Sequence, residues 1–445
     1  MRKTILLIIT IICAITTVSA QEHIDRKVEA LIEKSVDLYR FNGSILVSKN
    51  GKIVFEKGYG YQDIQNKIKN TPYTIFQVGS MTKQFTATVV LKLAEQQKLS
   101  LDDKISTYFP KLKRGNEITI KNLLTHTSSL FEIFRDTLFI KENKQRPISR
   151  KKLLSFFIDK PLYFDPGTQY AYCNSGYVLL GLIIEKITGK TYEQNVRDYI
   201  LKPLKMTHSG FDFAGLKSKH KALGYTRFSR AESISCMPWD STATYSAGSL
   251  YSTVNDLYLW HKGLLNYKVI SKESLAKAYT PFLEGYGLGC WIDTIYQKQV
   301  ISHGGNIEGF TSYFGRIQKD DVCVILLNNI YNREIESIGT AVLAILYEKP
   351  YHFFDEIKLN ADTLENYVGN YEINAGYHIK IMRSGDHLYA QIQNEPKFEI
   401  VADKENSFFV KDEDIRIKFR ANPDNTYKLV FYKGLNSKIG DRIDN

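Results

Sequence analysis

Phe76-Gln77-Val78-Gly79-Ser80-Met81-Thr82-Lys83 runs from an apolar stretch into a helix-like segment that reaches Leu93. Ser80 and Lys83 stand one helical turn apart, on one face. A serine hydroxyl is a weak nucleophile at neutral pH, so a neighbouring base must take its proton. A lysine three residues on can do this where burial or a nearby cation lowers its pKa. The same spacing occurs at Ser149/Lys152, Ser218/Lys221 and Ser274/Lys277, all in lysine-rich or polar surroundings typical of solvated helix faces. Only Ser80 follows an apolar run with a glycine and opens an apolar-periodic segment. A helix N-cap has the same local pattern, so residues elsewhere in the chain must decide.

Tyr172-Cys173-Asn174 is the only Tyr-x-Asn in the chain. It lies between the turn Phe164-Asp165-Pro166-Gly167 and the apolar run Tyr177–Ile184. A tyrosine of lowered pKa acts as general acid or base, and an asparagine offers both donor and acceptor to a substrate amide. His303-Gly304-Gly305 sits between two strand-like runs, unlike the other His-x-Gly triplets at His208 and His261. Glycines there let a substrate backbone approach the strand edge.

The order Ser-x-x-Lys, Tyr-x-Asn, His-x-Gly is far more specific than any one part. With it the chain resembles the serine β-lactamase-related family: class C β-lactamases, D-Ala-D-Ala carboxypeptidases, D-aminopeptidases and related esterases. Leu123-Leu124-Thr125-His126-Thr127-Ser128-Ser129-Leu130 and Ala247-Gly248-Ser249-Leu250-Tyr251-Ser252-Thr253 look like the same family. The resemblance implies an α+β fold, with an antiparallel sheet from both chain ends flanked by helices, an all-helical insertion, and the active site between them. It further implies acyl transfer through Ser80, with Lys83 and Tyr172 handling the proton. Which of those two is the base stays open. Asn174 would position the substrate amide, the Ser80 and Asn306 N–H groups would form an oxyanion hole, and His303, Gly304 and Gly305 would line the substrate. No metal or organic cofactor is implied.

Strand and turn signals agree with that fold. Phe41–Ser48 and Ile53–Phe55 flank Asn50-Gly51, a hairpin turn. Gly287–Ile295, Gln299–Ser302, Phe310–Ile317 and Val322–Leu327 are expected strands, and Ile335–Tyr347 an expected helix. After Lys349-Pro350 short alternating runs predominate, from Tyr377-His378-Ile379-Lys380-Ile381 to Tyr427-Lys428-Leu429-Val430-Phe431. They predict a small all-β barrel or sandwich, similar to the lipocalin-like domain that follows many hydrolases of this family. The expected organisation is a signal peptide at 1–20, a hydrolase domain at 21–349, a linker at 350–361 and the β domain at 362–445.

Arg2 and Lys3, the apolar Ile5–Ile15 and the small-residue site Val18-Ser19-Ala20 read as a Sec signal peptide, hence a periplasmic or secreted protein. No later apolar run is long enough to span a membrane. The formal charge of +11 falls to +9 without Arg2 and Lys3. No dense basic block interleaved with aromatics suggests nucleic-acid binding. With Cys13 inside the expected signal peptide, four cysteines remain, Cys173, Cys236, Cys290 and Cys323, scattered and without metal-ligand spacing. Their even number permits disulfides, while Cys173, between two presumed site residues, is expected to be a packed free thiol.

True class C β-lactamases carry lysine where this chain has His303, a residue mostly neutral at pH 7 and expected to charge toward pH 6. The expected substrate is therefore a D-amino-acid peptide, cell-wall peptide or ester, with a D-stereospecific peptidase, carboxypeptidase or carboxylesterase activity. A class C-type β-lactamase acting on β-lactams, and a non-catalytic penicillin- or wall-binding protein, are the alternatives.

Overall fold

The structure, a computed structural model, describes residues 23–443 except Ala375, Asn394, Asp414, Asn425 and 434–435. The expected signal peptide lies outside the described residues. The chain divides into two compact units. Among the described residues, one takes in those up to Val28, Asn42–Thr226 and Ser235–Tyr331; the other takes in Glu29–Phe41, Arg227–Ile234 and those from Asn332 on. Packing thus groups segments that a single cut near 349–362 separates.

The first unit is built on a six-stranded sheet in the order Lys52–Gly58, Gly43–Lys49, Val322–Asn328, Phe310–Ile317, Lys298–Ile307, Trp291–Ile295. Every pairing is antiparallel. The central strand Val322–Asn328 is buried at all its positions and is almost wholly apolar, as a strand covered on both faces must be. The Asn50-Gly51 turn has both residues in the left-handed region, at φ 52° and 78°, the geometry that matches strand twist in a two-residue hairpin.

Between the sheet halves the chain is mainly helical, with short two-stranded ladders such as Phe76–Gln77 with Tyr251–Ser252. The Asn174–Thr188 helix is apolar nearly all round and buried from Ser175 to Ile184, as a helix inside a core is. It ends where Gly189 adopts φ 68° and donates to the Glu185 carbonyl. At Gly181 a Cβ would lie 2.1 Å from Ser246 Oγ. The missing side chain lets the Ser241–Gly248 helix approach, and Ser246 Oγ donates to the Tyr177 carbonyl at 2.8 Å. This contact fixes the neighbouring Ala247 carbonyl, which belongs to the site below.

In the second unit eight strands close into a barrel, from Gly369–Asn374 to Asn436–Arg442. Tyr371 pairs with Arg442 and Glu372 with Asp441 to seal it. Its interior is filled by side chains including Tyr371, Ile381, Leu388, Ile417, Phe419 and Leu429, all buried. Tyr367 stacks on Phe419 at 4.4 Å between centroids.

Candidate functional site

Ser80 lies in a single 3-10 turn, Gly79–Met81, that leads into the Thr82–Glu95 helix. Gly79 has φ 54° and a Cβ on it would sit 2.9 Å from the Asn306 backbone nitrogen. Both the backbone conformation and the contact require glycine. The turn is closed by Thr82, whose Oγ1 donates to the Gly79 carbonyl at 2.7 Å and accepts from the Leu250 N–H at 3.1 Å. Ser80 itself is half-buried while its neighbours Gly79 and Met81 are buried.

The strand Lys298–Ile307 runs past this turn. Its outer neighbour Trp291–Ile295 pairs only as far as Ser302, so from His303 onward that edge is left to the Ser80 turn. The approach is close: a Cβ on Gly305 would fall 1.9 Å from the Val78 carbonyl oxygen and 2.4 Å from Ser312 Oγ. Ser312 Oγ donates to the same Val78 carbonyl at 2.9 Å. Sequence reasoning ended the strand at Ser302, because three consecutive residues His303-Gly304-Gly305 lack strand propensity. Pairing with Phe310–Ile317 carries it on through Gly304 opposite Tyr313 and Asn306 opposite Thr311.

Lys83 projects from the first helical turn into a fully buried position. Its Nζ donates to Ser80 Oγ at 3.0 Å, to Asn174 Oδ1 at 2.7 Å and to the Ala247 carbonyl at 2.8 Å. It lies 4.8 Å from the Tyr172 ring centroid and 5.3 Å from that of Tyr177. Burial lowers its pKa to about 7, against an upward pull from Glu132 and then Cys173. Tyr172 behaves oppositely. Burial holds its phenol well above the ordinary value, despite a hydrogen bond with Ser80 that favours ionisation. At pH 7 the Tyr172 phenol is therefore protonated and neutral, while Lys83 is divided about equally between ammonium and amine.

Asn174 opens its helix and is engaged on both sides of its amide. Oδ1 accepts from Lys83, and Nδ2 donates to Glu132 Oε1 at 2.9 Å. The Asn174 backbone N–H donates to Glu132 Oε2. Sequence reasoning missed Glu132. It is a lone acid in a loop, and only the fold brings it to Asn174. His126 was noted only as part of a family-like stretch. It is buried, its Nδ1 accepts from the Cys173 N–H at 3.0 Å, and its ring lies 4.1 Å from that of Tyr172.

His303 requires a correction. It is buried, its Nδ1 donates to the Gly304 carbonyl, and its Nε2 pairs with Tyr286 Oη at 2.9 Å. Burial, with the nearby Lys83 charge, pushes its pKa down to about 3. The imidazole therefore stays neutral at pH 6, and its ring nitrogens are occupied within the protein. Cys173, Cys236, Cys290 and Cys323 are free, and burial raises Cys173 to about 12. Among the described residues no group of three His, Cys, Asp or Glu has metal-site geometry, and no helix is long and apolar enough to cross a membrane.

A family model described as Beta-lactamase matches residues 28–345, and one described as a domain of unknown function, DUF3471, matches 355–440. Protein flp of Staphylococcus aureus (strain MW2) is 32% identical over 337 residues, 72% of this chain and 66% of its own length. The chain thus spans just under two thirds of that relative. The octameric penicillin-binding protein homologue from Pyrococcus abyssi superposes with a TM-score of 0.69 at 26% identity, over 93% of this chain and 99% of its own. FmtA from Staphylococcus aureus superposes with a TM-score of 0.61 at 26% identity, over 75% and 89%. With a match across 28–345 and a shared fold, the chain belongs to the beta-lactamase family.

Proposed function

We propose that the protein is an exported serine hydrolase that forms an acyl-enzyme on Ser80 and acts on D-configured peptides, amides or esters. The observation that carries this reading is the set of Lys83 partners. A neutral amine has two N–H groups and one lone pair. The Asn174 and Ala247 oxygens accept both N–H groups, which leaves the lone pair for the Ser80 hydroxyl. With a pKa of about 7, half the lysine is in that form at neutral pH. The raised Tyr172 phenol is a proton donor rather than a base.

In the proposed cycle Lys83 takes the Ser80 proton as Oγ bonds to the substrate carbonyl carbon. The oxyanion would be held by the Ser80 and Asn306 N–H groups; the close approach of Asn306 N to Gly79, the residue before Ser80, supports this role. The proton returns through Tyr172 to the departing amine or alcohol as the bond to it breaks. Water then attacks the ester, and the same groups run in reverse. Residues and water suffice for every step.

A peptidase or esterase is favoured over a β-lactamase by His303. Buried, neutral and bonded to Tyr286, it supplies no cation for a β-lactam carboxylate. The export proposal rests on residues 1–20 alone, and N-terminal mass determination of the mature protein tests it. A hydrolysis panel of p-nitrophenyl esters, D- and L-amino-acid amides, D-Ala-D-Ala peptides and a chromogenic cephalosporin tests the substrate class. Turnover of D-configured amides or esters well above their L counterparts is expected. Preferential cephalosporin hydrolysis would make the β-lactamase reading the better one.

A further inference from the structure

We infer that Glu132 is a positioning residue of the reaction: it holds the Asn174 amide with its oxygen toward Lys83, and it supplies the negative charge that Lys83 works against. This deepens the proposed function and rests on Ser80 and Lys83 being the reacting pair.

Glu132 is only 8% exposed, and its two oxygens accept three N–H groups. Oε1 takes Asn174 Nδ2 at 2.9 Å and the Phe134 N–H at 2.9 Å; Oε2 takes the Asn174 N–H. An ionised carboxylate only accepts. The Asn174 side chain must therefore turn its NH2 toward Glu132 and its oxygen toward Lys83. With the amide reversed, an NH2 would face the lysine nitrogen and the acceptor that directs the lone pair would be lost. The carboxylate thus fixes, one residue removed, which way Lys83 points.

Charge supplies the second half. The titratable groups around Lys83 are Tyr172, Tyr177, Cys173, His126, His303 and Glu132. Burial keeps both tyrosines and Cys173 protonated, and it keeps both imidazoles neutral. After burial, Glu132 exerts the largest influence on Lys83, and it favours the ammonium. A desolvated lysine left without that charge would lose its proton still more readily.

The test compares kcat/KM for a p-nitrophenyl ester from pH 5 to 9 in wild type, Glu132→Gln, Glu132→Asp and Glu132→Ala. Glutamine removes the charge and keeps one acceptor oxygen for the Asn174 side chain, with its NH2 opposite the Asn174 backbone N–H. Its acid limb should move down by about one pH unit, the size of effect an opposite charge exerts at short range. At pH 6 it would then keep about fivefold more of its own plateau than wild type keeps. Aspartate retains the charge and should retain the wild-type limb with a lower plateau. Alanine removes the acceptors and should fall further, with glutamine partly restoring the plateau. A residue with a purely structural role would lower the rate equally at all pH values. Coincident limbs in wild type and Glu132→Gln, or a limb displaced in Glu132→Asp, would overturn the inference. Absence of any acid limb near pH 7 in the wild type would instead count against Lys83 as base and leave Glu132 aside.

Discussion

At the residue scale the site works by taking a charged lysine out of water. Lys83 is buried among aromatic rings, and its pKa falls from the usual 10.5 to about 7. The sign of the resulting pH dependence follows. Attack by Ser80 needs the neutral amine, which is scarce below that value and complete above it. The kcat/KM of the wild-type protein should rise about tenfold per pH unit below pH 7 and level off above it. Steady-state rates on a small ester between pH 5 and 9 check this. No second inflection near pH 6 should come from His303, because that ring is buried and pushed down to about 3. The sequence identity of His303 suggested a group that charges toward pH 6, and its environment overrides that expectation. A residue's type sets its reference pKa, whereas burial and neighbours are properties of the fold.

Among the elements, the contact between the Ser80 turn and the Lys298–Ile307 strand aligns the reacting groups. Gly305 leaves no room for a Cβ against the Val78 carbonyl, at 1.9 Å, and backbone cannot move aside as a flexible side chain can. Gly305→Ala should push the strand edge away from Ser80. The expected loss is about 1–3 kcal/mol of stability, typical of overpacking, with a drop in kcat that exceeds the change in KM. Urea denaturation monitored by fluorescence, with parallel kinetics, separates the two effects. Elements with local signals were legible in the sequence: the Asn50-Gly51 hairpin, the Thr82–Glu95 helix with Ser80 and Lys83 on one turn, and the central apolar strands. Six of the barrel strands were visible as alternating runs. The closing strands Gly369–Asn374 and Asn436–Arg442 were not. The second, Asn-Ser-Lys-Ile-Gly-Asp-Arg, has one large apolar residue, Ile439, and that side chain faces solvent at 52% exposure. Its identity as a strand comes from pairing with Tyr427–Lys433 and Gly369–Asn374, which no local pattern records. Glu132 was hidden for the same reason, since the Asn174 groups it holds lie 42 residues away in sequence.

At the scale of the whole molecule, the second unit is not the C-terminal stretch alone. Arg40 is 1% exposed, and its Nη2 donates to the Val410 and Glu413 carbonyls at 3.2 and 2.6 Å. Phe354 packs edge-on against Phe409 at 4.9 Å. A chain ended at Leu359 would leave the buried Arg40 and Phe354 without the groups that cover them. These contacts within the second unit predict that such a protein aggregates or melts well below the full chain, read by solubility and thermal unfolding. The central claim, an acyl-enzyme on Ser80, is tested most directly by intact-protein mass spectrometry of the full chain. The protein would be mixed with a slowly hydrolysed D-amino-acid ester, quenched in acid within seconds, and mapped by peptide digestion. The account predicts one added acyl group on the peptide that carries Ser80, and none in Ser80→Ala with an unchanged melting temperature. Turnover by wild type with no adduct under any quench time, or an adduct that persists in Ser80→Ala, would contradict it.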